Sequence, residues 1–336
     1  MNLAIVGATG NVGRKLIEVL EKKNFNVSEL FLVASSKSEG KKINFNGQEH
    51  SVIDLEKFDF SKVKIAFFSA GSAIAEKWAP IAAEKTIVID NSKFFRKDPD
   101  IPLVVPEVNL KDLSLLKNKN IISNANCTVI PMVVALKPLH DLYQVKRIVA
   151  STYQSVSGGG KAPMDELLSQ TKEFFENKEL KSKYFTKQIA FNAIPHIDSF
   201  LESGYTKEEQ KTTDEIKKIL DNKIKVTSTC VRIPVLVSHC ISANVEFNKK
   251  CNLDEIRNVL STSPGCKLID EHKDGGYITP VEAEDKFETF ISRIRLDESQ
   301  ANTINLWIVS DNLLKGAALN AVEIAENLVQ QNLYGK

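Results

Sequence analysis

The sequence lacks long apolar runs, an excess of either charge, and paired cysteines. No segment approaches the roughly 20 apolar residues of a membrane-spanning helix, and the N-terminus lacks the basic start and apolar stretch of a signal peptide. Because 44 Lys plus Arg nearly balance 43 Asp plus Glu, with no block of like charge, we expect neither nucleic acid nor a membrane as a partner. We therefore predict a cytoplasmic protein.

The five cysteines are an odd number without the spacing of a metal site. We expect reduced thiols and no bound metal. Only Cys127 follows a polar, turn-like segment. The other four are Cys230, Cys240, Cys251 and Cys266.

The first third of the chain has the pattern of a doubly wound sheet. An apolar run at 3–6, a glycine-rich turn and an amphipathic stretch from Asn11 to about Lys23 predict strand, turn and helix. Buried strands are predicted at 30–34, 64–69, 86–90 and 103–105, with a helix at 73–84.

The remainder of the chain mixes longer strands with helices, which predicts an α+β domain. Strands are expected at 145–154, 226–231, 240–247 and 289–296, and helices at 128 to about 141, near 165–181 and at 207–220. A last helix, about 313–332, is expected to pack back on the first domain. The predicted division is therefore 1–127 plus about 313–336 for one domain, and about 128–312 for the other.

The glycine-rich turn has the features of a dinucleotide-binding site. Its glycines allow a tight turn, close approach to a pyrophosphate and close packing of helix on strand, while the helix N-terminus favours the anion. The predicted cofactor-binding residues here are Gly7, Thr9, Gly10, Asn11, Val12 and Gly13.

The end of the second strand favours NADP over NAD. An NAD enzyme usually places an acid there to bind the ribose hydroxyls, whereas this chain has Ser36, Lys37 and Ser38. Hydroxyls and an ammonium suit a 2′-phosphate. The alternative, a solvated loop that contains a lysine, stays open.

Cys127 precedes a predicted helix, where free amides and the helix dipole favour a thiolate. Such a thiolate is suited to nucleophilic catalysis. A single cysteine is also compatible with a small buried core residue, so the residue alone does not decide between the two.

Several segments together resemble the aspartate-semialdehyde dehydrogenase family, from one end of the chain to the other. They occur in an order that is specific to that family. The segments are GATGNVG (7–13), FSAGS (68–72), FFR (94–96), VPEVN (105–109), NCT (126–128), STYQSVSG (151–158), AFN (190–192), EEQK (208–211), CVRIPV (230–235) and SDNLLKG (310–316), together with His239.

The resemblance implies a catalytic group of Cys127 as nucleophile, His239 as general acid and base, and Gln154 as an orienting amide. A thiolate adds to an aldehyde, an imidazole moves protons near neutral pH, and the thioester exchanges with phosphate. Without the resemblance, His239 would be interpreted as a hydrogen-bonded strand histidine and Gln154 as a solvent-facing amide.

The resemblance also implies substrate ligands. Arg232 would bind the substrate carboxylate with its planar guanidinium, and Glu208 the amino group, with Asn126 beside the nucleophile. Arg96 and Lys211 would bind phosphate. From the residues alone these are surface charges, and Glu208 and Lys211 a helical ion pair.

Further cofactor contacts are implied outside the glycine-rich turn. In one departure from the family, Lys37 stands where members often carry arginine. Lysine keeps the positive charge but lacks the planar, forked guanidinium and its stacking surface. NAD use therefore becomes conceivable beside NADP. The implied additional contacts are Ser69, Gly71, Ser72, Ser157, Gly158 and Asn312.

The resemblance implies a Rossmann-type dinucleotide-binding domain plus an α+β catalytic and dimerisation domain, as in glyceraldehyde-3-phosphate dehydrogenase. It implies NADPH-dependent reductive dephosphorylation of L-4-aspartyl phosphate to L-aspartate 4-semialdehyde, for lysine, methionine and threonine synthesis, by a homodimer. Three alternatives remain: an N-acetyl-glutamyl-phosphate reductase, a catalytically idle dinucleotide sensor, and a cysteine-histidine hydrolase.

Overall fold

The computed structural model describes residues 1–333, and the chain forms two compact units. Unit 1 comprises Met1–Ala125 and the chain from Ala317 on, and unit 2 is Asn126–Gly316. Residues 334–336, which the sequence analysis assigned to the first domain, lie outside the described residues.

Unit 1 is built on an eight-stranded sheet. Its strands are β1 (Asn2–Val6), β2 (Glu29–Ala34), β3 (Lys42–Phe45), β4 (Gln48–Asp54), β5 (Ile65–Phe68), β6 (Ile87–Asp90), β7 (Leu103–Val104) and β8 (Ile121–Asn124). Its first four helices are α1 (Asn11–Lys22), α2 (Ser72–Ala83), α3 (Pro106–Asn109) and α4 (Leu116–Lys119).

The strand order β3-β4-β2-β1-β5-β6-β8-β7 places β1 inside the sheet, with β2 on one side and β5 on the other. These pairs are parallel, and residues 3–6 are fully buried, as expected for a strand covered on both faces. The strand order reverses direction at β1, so the crevice beyond its carboxyl end is where such sheets bind ligands.

The hairpin of β3 and β4 is not among the predicted elements. Its strands pair antiparallel, and Asn46 and Gly47 form the turn with φ values of +49° and +76°. An Asn-Gly pair is the strongest short-range signal for such a hairpin, because both central residues need positive φ.

Unit 2 contains a six-stranded sheet with the order β10-β9-β11-β14-β13-β12. Its strands are β9 (Val145–Gln154), β10 (Lys225–Arg232), β11 (His239–Phe247), β12 (Cys266–Leu268), β13 (Thr289–Leu296) and β14 (Thr303–Ser310). Its helices are α5 (Val129–Tyr143), α6 (Lys161–Phe175), α7 (Lys207–Ile219), α8 (Leu253–Thr262) and α9 (Pro280–Ala283).

The sheet of unit 2 is mixed, because β9–β10 and β12–β13 are parallel while the other pairs are antiparallel. Helices α5, α7 and α8 pack against it. The predicted combination of a doubly wound domain with an α+β domain is confirmed.

The last helix, α10 (Leu319–Gln330), belongs to unit 1, where it contacts α1 and α3. A π-helical turn at Leu314–Ala318 precedes it, so the predicted single helix at about 313–332 is two elements. Lys23 lies 2.8 Å from a Glu326 carboxylate oxygen, and the buried Asn320 donates to the main-chain oxygen of Val104 at 3.0 Å. Across residues 1–333, none of the helices combines the length and apolar character needed to cross a membrane.

Candidate active site

The glycine-rich turn of unit 1 joins β1 to α1, and two of its glycines leave no room for a side chain. Gly7 has φ +88°, and a Cβ there would lie 2.7 Å from the carbonyl carbon of Ser69. A Cβ on Gly13 would lie 2.2 Å from the oxygen of Gly7. Gly10, at the N-cap position of α1, brings no side-chain acceptor to the first helical amides. This arrangement fits a pyrophosphate at the helix N-terminus.

The other predicted cofactor ligands of this turn, two of which begin α1, are partly accessible. Thr9, Asn11 and Val12 are half-buried. The backbone turns again at Gly71, with φ +86°, where α2 begins at Ser72.

The residues after β2 are divided in their accessibility. Ser36 and Lys37 are exposed, whereas the buried Ser38 accepts a hydrogen bond from the Lys41 ammonium at 3.4 Å. Just after the end of β5, the Ser69 hydroxyl donates to the main-chain oxygen of Val6 in β1. Their predicted contacts with the 2′-phosphate and the cofactor phosphates stay predictions.

Arg96 lies in unit 1 and is only 9% exposed. Its Nη2 donates to the main-chain oxygen of Asn91 at 3.0 Å. Burial raises the pKa of the neighbouring Asp90, while hydrogen bonds from Ser92 and the charge of Arg96 partly oppose that rise. Arg96 is therefore a buried cation that a phosphate could neutralise.

In unit 2, Cys127 lies in the turn immediately before α5 and is partly exposed. The Asn126 side chain stabilises this turn, because its Oδ1 accepts from the amide of Thr128 at 2.9 Å and from its hydroxyl at 2.7 Å. Gly316 packs against Cys127, since a Cβ on Gly316 would lie 3.0 Å from the Cβ of Cys127. The thiol thus lies just before the N-terminus of α5.

Glu208, in the first turn of α7, connects the predicted substrate ligands of unit 2. Its Oε1 accepts from Asn126 Nδ2 at 2.9 Å and from Gln154 Nε2 at 3.3 Å. Its Oε2 accepts from the Lys211 ammonium at 2.7 Å, and that ammonium also donates to Asp198 at 2.9 Å. The structure therefore brings four predicted residues into one buried network.

The electrostatics of this network keep Glu208 ionised. Burial alone would raise its pKa, but the charge of Lys211 and hydrogen bonds from Lys211 and Asn126 outweigh burial and lower the pKa to about 2. Burial would lower the pKa of Lys211, yet Glu208 and Asp198 raise it. Glu208 and Lys211 are therefore both ionised near neutral pH.

His239 is the first residue of β11 and is 1% exposed. Its Nδ1 accepts from the main-chain amide of Ser155 at 3.0 Å. Because an amide can only donate, the neutral ring carries its proton on Nε2. Within residues 1–333, Nε2 is buried without a hydrogen-bond partner.

Gly158 lies where His239 and Arg232 meet. A Cβ on Gly158 would lie 3.3 Å from Nε2 of His239 and 3.3 Å from Nη1 of Arg232. The Arg232 guanidinium is oriented by donating to the main-chain oxygen of Ser155 at 2.6 Å. A small ligand above Gly158 could therefore meet both a guanidinium and an imidazole.

Burial is the main cause of the pKa shifts of His239 and Arg232. It lowers the pKa of His239 to about 3, with a further lowering by the charge of Arg232. It also lowers the pKa of Arg232, while Glu208 and Cys127 oppose this change.

Ser157 and Asn312 are each only 2% exposed, and they bond to each other. Asn312 Nδ2 donates to the Ser157 hydroxyl at 3.0 Å. Their contact with the cofactor stays a prediction. Two residues without a predicted role also belong to the site: Ser155, which orients His239 and Arg232, and Glu215, which accepts from the amide of Asn126 at 2.6 Å.

Both halves of the chain match known families. Residues 2–116 match the semialdehyde dehydrogenase NAD binding domain, and residues 136–315 match the semialdehyde dehydrogenase dimerisation domain. The chain is 50% identical over 335 residues to the aspartate-semialdehyde dehydrogenase of Aquifex aeolicus, covering 98% of each protein. It is 49% identical over 333 residues to that of Rickettsia bellii, covering 99% of this chain and 98% of the relative. The crystal structure of aspartate semialdehyde dehydrogenase II from Vibrio cholerae, complexed with ASA, is 48% identical over 98% of both chains, with a TM-score of 0.96.

Proposed function

The chain belongs to the aspartate-semialdehyde dehydrogenase family, and from this membership we propose that it interconverts L-4-aspartyl phosphate and L-aspartate 4-semialdehyde. It is an oxidoreductase of amino-acid biosynthesis with an NAD(P)-binding domain. The observation that best supports the reaction is the meeting of His239, Arg232 and Gly158 in the same unit as the helix-start thiol of Cys127.

In the proposed reaction, the Cys127 thiolate forms a carbon–sulfur bond with the acyl carbon while the carbon–oxygen bond to phosphate breaks. The product of this step is a thioester. NADPH, when bound, supplies the hydride that reduces the thioester carbon. Cleavage of the carbon–sulfur bond then releases the aldehyde and returns the thiolate.

His239 is the proposed proton-transfer group. Its proton on Nε2 can be donated in a hydrogen bond to the substrate oxygen that becomes negative. Because burial keeps the imidazole neutral, the ring adds no fixed positive charge beside Arg232. Gln154 is the proposed orienting amide, and its Nε2 is itself oriented by Glu208.

Arg232 and Glu208 form the proposed amino-acid site. A guanidinium binds a carboxylate through two parallel hydrogen bonds, and an ionised buried carboxylate binds an ammonium. The low pKa of Glu208 supports the second role. It also argues against an N-acetyl-glutamyl-phosphate reductase, because an acetylated amine carries no charge for Glu208 to bind.

Arg96 and Lys211 are the proposed phosphate ligands. Each is a cation with restricted exposure, Arg96 in unit 1 and Lys211 in unit 2. Lys211 is shared between Glu208 and Asp198, so it is oriented before any phosphate binds. Replacement of either cation should raise the KM for phosphate more than the KM for the aldehyde.

NADP is the proposed cofactor, bound by unit 1. The close approach of Gly7 and Gly13 to neighbouring backbone supports a dinucleotide at the start of α1. The exposed Ser36 and Lys37 after β2 are available to a 2′-phosphate.

A homodimer is the proposed assembly, because unit 2 contains a dimerisation domain. The outward side chains of its sheet include Tyr153 and Trp307, whose ring centroids lie 5.5 Å apart. A cavity of about 310 Å³ on this sheet is lined in part by Trp307, Tyr277 and Arg293. We propose that a second copy covers this face, which sedimentation at several concentrations would test.

The reaction is tested by following nicotinamide absorbance with purified protein, L-aspartate 4-semialdehyde, and NADP or NAD. The expected result is reduction of NADP that requires phosphate. Cys127→Ala should abolish turnover while NADP binding persists. No reduction with either cofactor would remove the substrate assignment, and a pure Cys127→Ala protein that still turned over would remove the thioester.

A further inference from the structure

The buried amide of Asn312 is at the centre of a hydrogen-bond group that surrounds His239. Its Oδ1 accepts from the main-chain amide of Ser238 at 2.8 Å, from the Ser155 hydroxyl at 3.1 Å and from the Ser157 hydroxyl at 3.2 Å. The main-chain donor at Ser238 identifies which end of the amide is oxygen. Asn312 therefore joins three segments that meet at the imidazole.

Ser238 directly precedes His239 and has φ +73°, in the left-handed region that favours glycine. A non-glycine residue keeps this conformation only when its surroundings hold it there. Ser238 is fully buried, and its amide donates to Asn312. The hydrogen bond from Ser238 thus helps to set where β11 begins and where the imidazole points.

Ser155 contacts His239 with both its main chain and its side chain. Its amide donates to Nδ1 at 3.0 Å, and its Oγ lies 3.1 Å from the same nitrogen. When the hydroxyl donates its proton to Asn312 Oδ1, which lies 3.1 Å away, a lone pair of Oγ remains for Nδ1.

This arrangement matters when His239 moves a proton. Nε2 can accept a proton from the substrate only when the ring carries its own hydrogen on Nδ1, and the amide of Ser155 offers that hydrogen no acceptor. The Ser155 hydroxyl oxygen can accept that hydrogen, provided that its own proton stays on the Asn312 side. The other charged groups that act on the imidazole are Arg232 and Glu208.

We propose that Asn312 is a positioning residue for His239, which holds the Ser155 hydroxyl as an acceptor toward Nδ1 and holds the backbone of Ser238. The inference rests on the proposed function, in which His239 transfers protons. It differs from the role implied by the family resemblance, in which the Asn312 amide reaches the cofactor.

The two roles predict different kinetics. If Asn312 acts on His239, Asn312→Ala lowers kcat about tenfold or more, with the roughly 10²–10⁴-fold contribution of general acid–base catalysis as the upper bound, and leaves the KM for NADP within about twofold. Ser155→Ala removes only the hydroxyl and should lower kcat by a similar factor. Ser155→Thr, which keeps a hydroxyl, should recover part of that loss.

A double-mutant cycle supplies the decisive comparison. Because Asn312 acts partly through Ser155, the double alanine variant should lose much less kcat than the product of the two single losses. Additive losses, or an Asn312→Ala protein with unchanged kcat and a raised KM for NADP, would overturn the proposal. Asn109→Ala, which removes a buried amide in unit 1, is the matched control and should retain kcat.

Two further observations keep the test decisive. If Asn312→Ala does not fold, a Ser155→Ala protein with wild-type kcat is sufficient to overturn the proposal. A wild-type protein without turnover would instead be a failure of the proposed function. In that case, the nitrogen NMR spectrum of the five labelled histidines still tests the geometry, because the amide of Ser155 requires His239 to carry its proton on Nε2. The opposite tautomer would overturn the geometry.

Discussion

Replacement of Glu208 by glutamine would test the buried charge network of unit 2. Glutamine has nearly the same size but carries no charge. Glu208 is 6% exposed, and its carboxylate accepts from Lys211, Asn126 and Gln154. After the substitution, Lys211 would keep the Asp198 carboxylate as a charged partner, and Arg232 would lose the negative charge of Glu208, which raises its pKa.

The magnitude follows from the titration of the carboxyl group. A pKa that falls from 4.5 to about 2 on folding corresponds to about 3 kcal/mol of free energy of unfolding. Because the folded pKa is depressed, this contribution is fully present above pH 4.5 and is lost as the pH falls toward 2. The difference between wild type and Glu208→Gln should therefore be about 3 kcal/mol at pH 7 and shrink steadily below pH 4.5.

Urea unfolding at several pH values would measure this difference, and steady-state kinetics would measure its effect on the substrate. The KM for the aldehyde should rise at least tenfold, because the ammonium loses its partner. Glu209→Gln is the matched control: this buried neighbour accepts from the main-chain amides of Thr206 and Cys230. An unfolding difference for Glu208→Gln that did not change with pH would refute the reasoning.

Three further predictions concern His239 and the cofactor site. Folding lowers the pKa of His239 from 6.5 to about 3, so wild type should lose stability as the pH falls through this window, while His239→Asn loses less; thermal melts at pH 7 and 4.5 check this. Gly13→Ala would place a Cβ 2.2 Å from the Gly7 oxygen, so NADP affinity should fall at least tenfold in a binding titration. Lys37→Ala should raise the Kd for NADP at least tenfold and leave that for NAD nearly unchanged; equal changes for both cofactors would show that Lys37 does not contact the 2′-phosphate.

Much of the fold could be predicted because its elements carry strong local signals. The helix Lys207–Ile219 begins with a capping box between Thr206 and Glu209, and α1 buries one apolar face. The strands β8 and β12 were not predicted, because β8 has only two apolar residues before Ser123 and Asn124 and β12 is the three-residue segment Cys266–Leu268 with a lysine at its centre. The alternation of Ile304, Leu306 and Ile308 in β14 is a strand pattern and could have been recognised.

The site residues also differ in how far the sequence alone could predict their roles. The glycine-rich turn follows from local chemistry, whereas the roles of Arg232 and His239 came from the family resemblance. Their meeting at Gly158 depends on β10 and β11 flanking β9, which no local pattern shows. Ser155 was visible only as a member of a resembling segment. Its contacts with His239 span 84 residues, so the tertiary structure alone reveals them.

The most direct test of the account is detection of the acyl group on Cys127. Wild-type protein would be mixed with L-4-aspartyl phosphate in the absence of NADPH, quenched with acid, digested and examined by mass spectrometry. If Cys127 carries the acyl group, the peptide containing Cys127 gains the mass of one aspartyl group, and NADPH added before the quench removes it. An unmodified Cys127 peptide from protein that nevertheless turns over, or an aspartyl group on another residue, would contradict it.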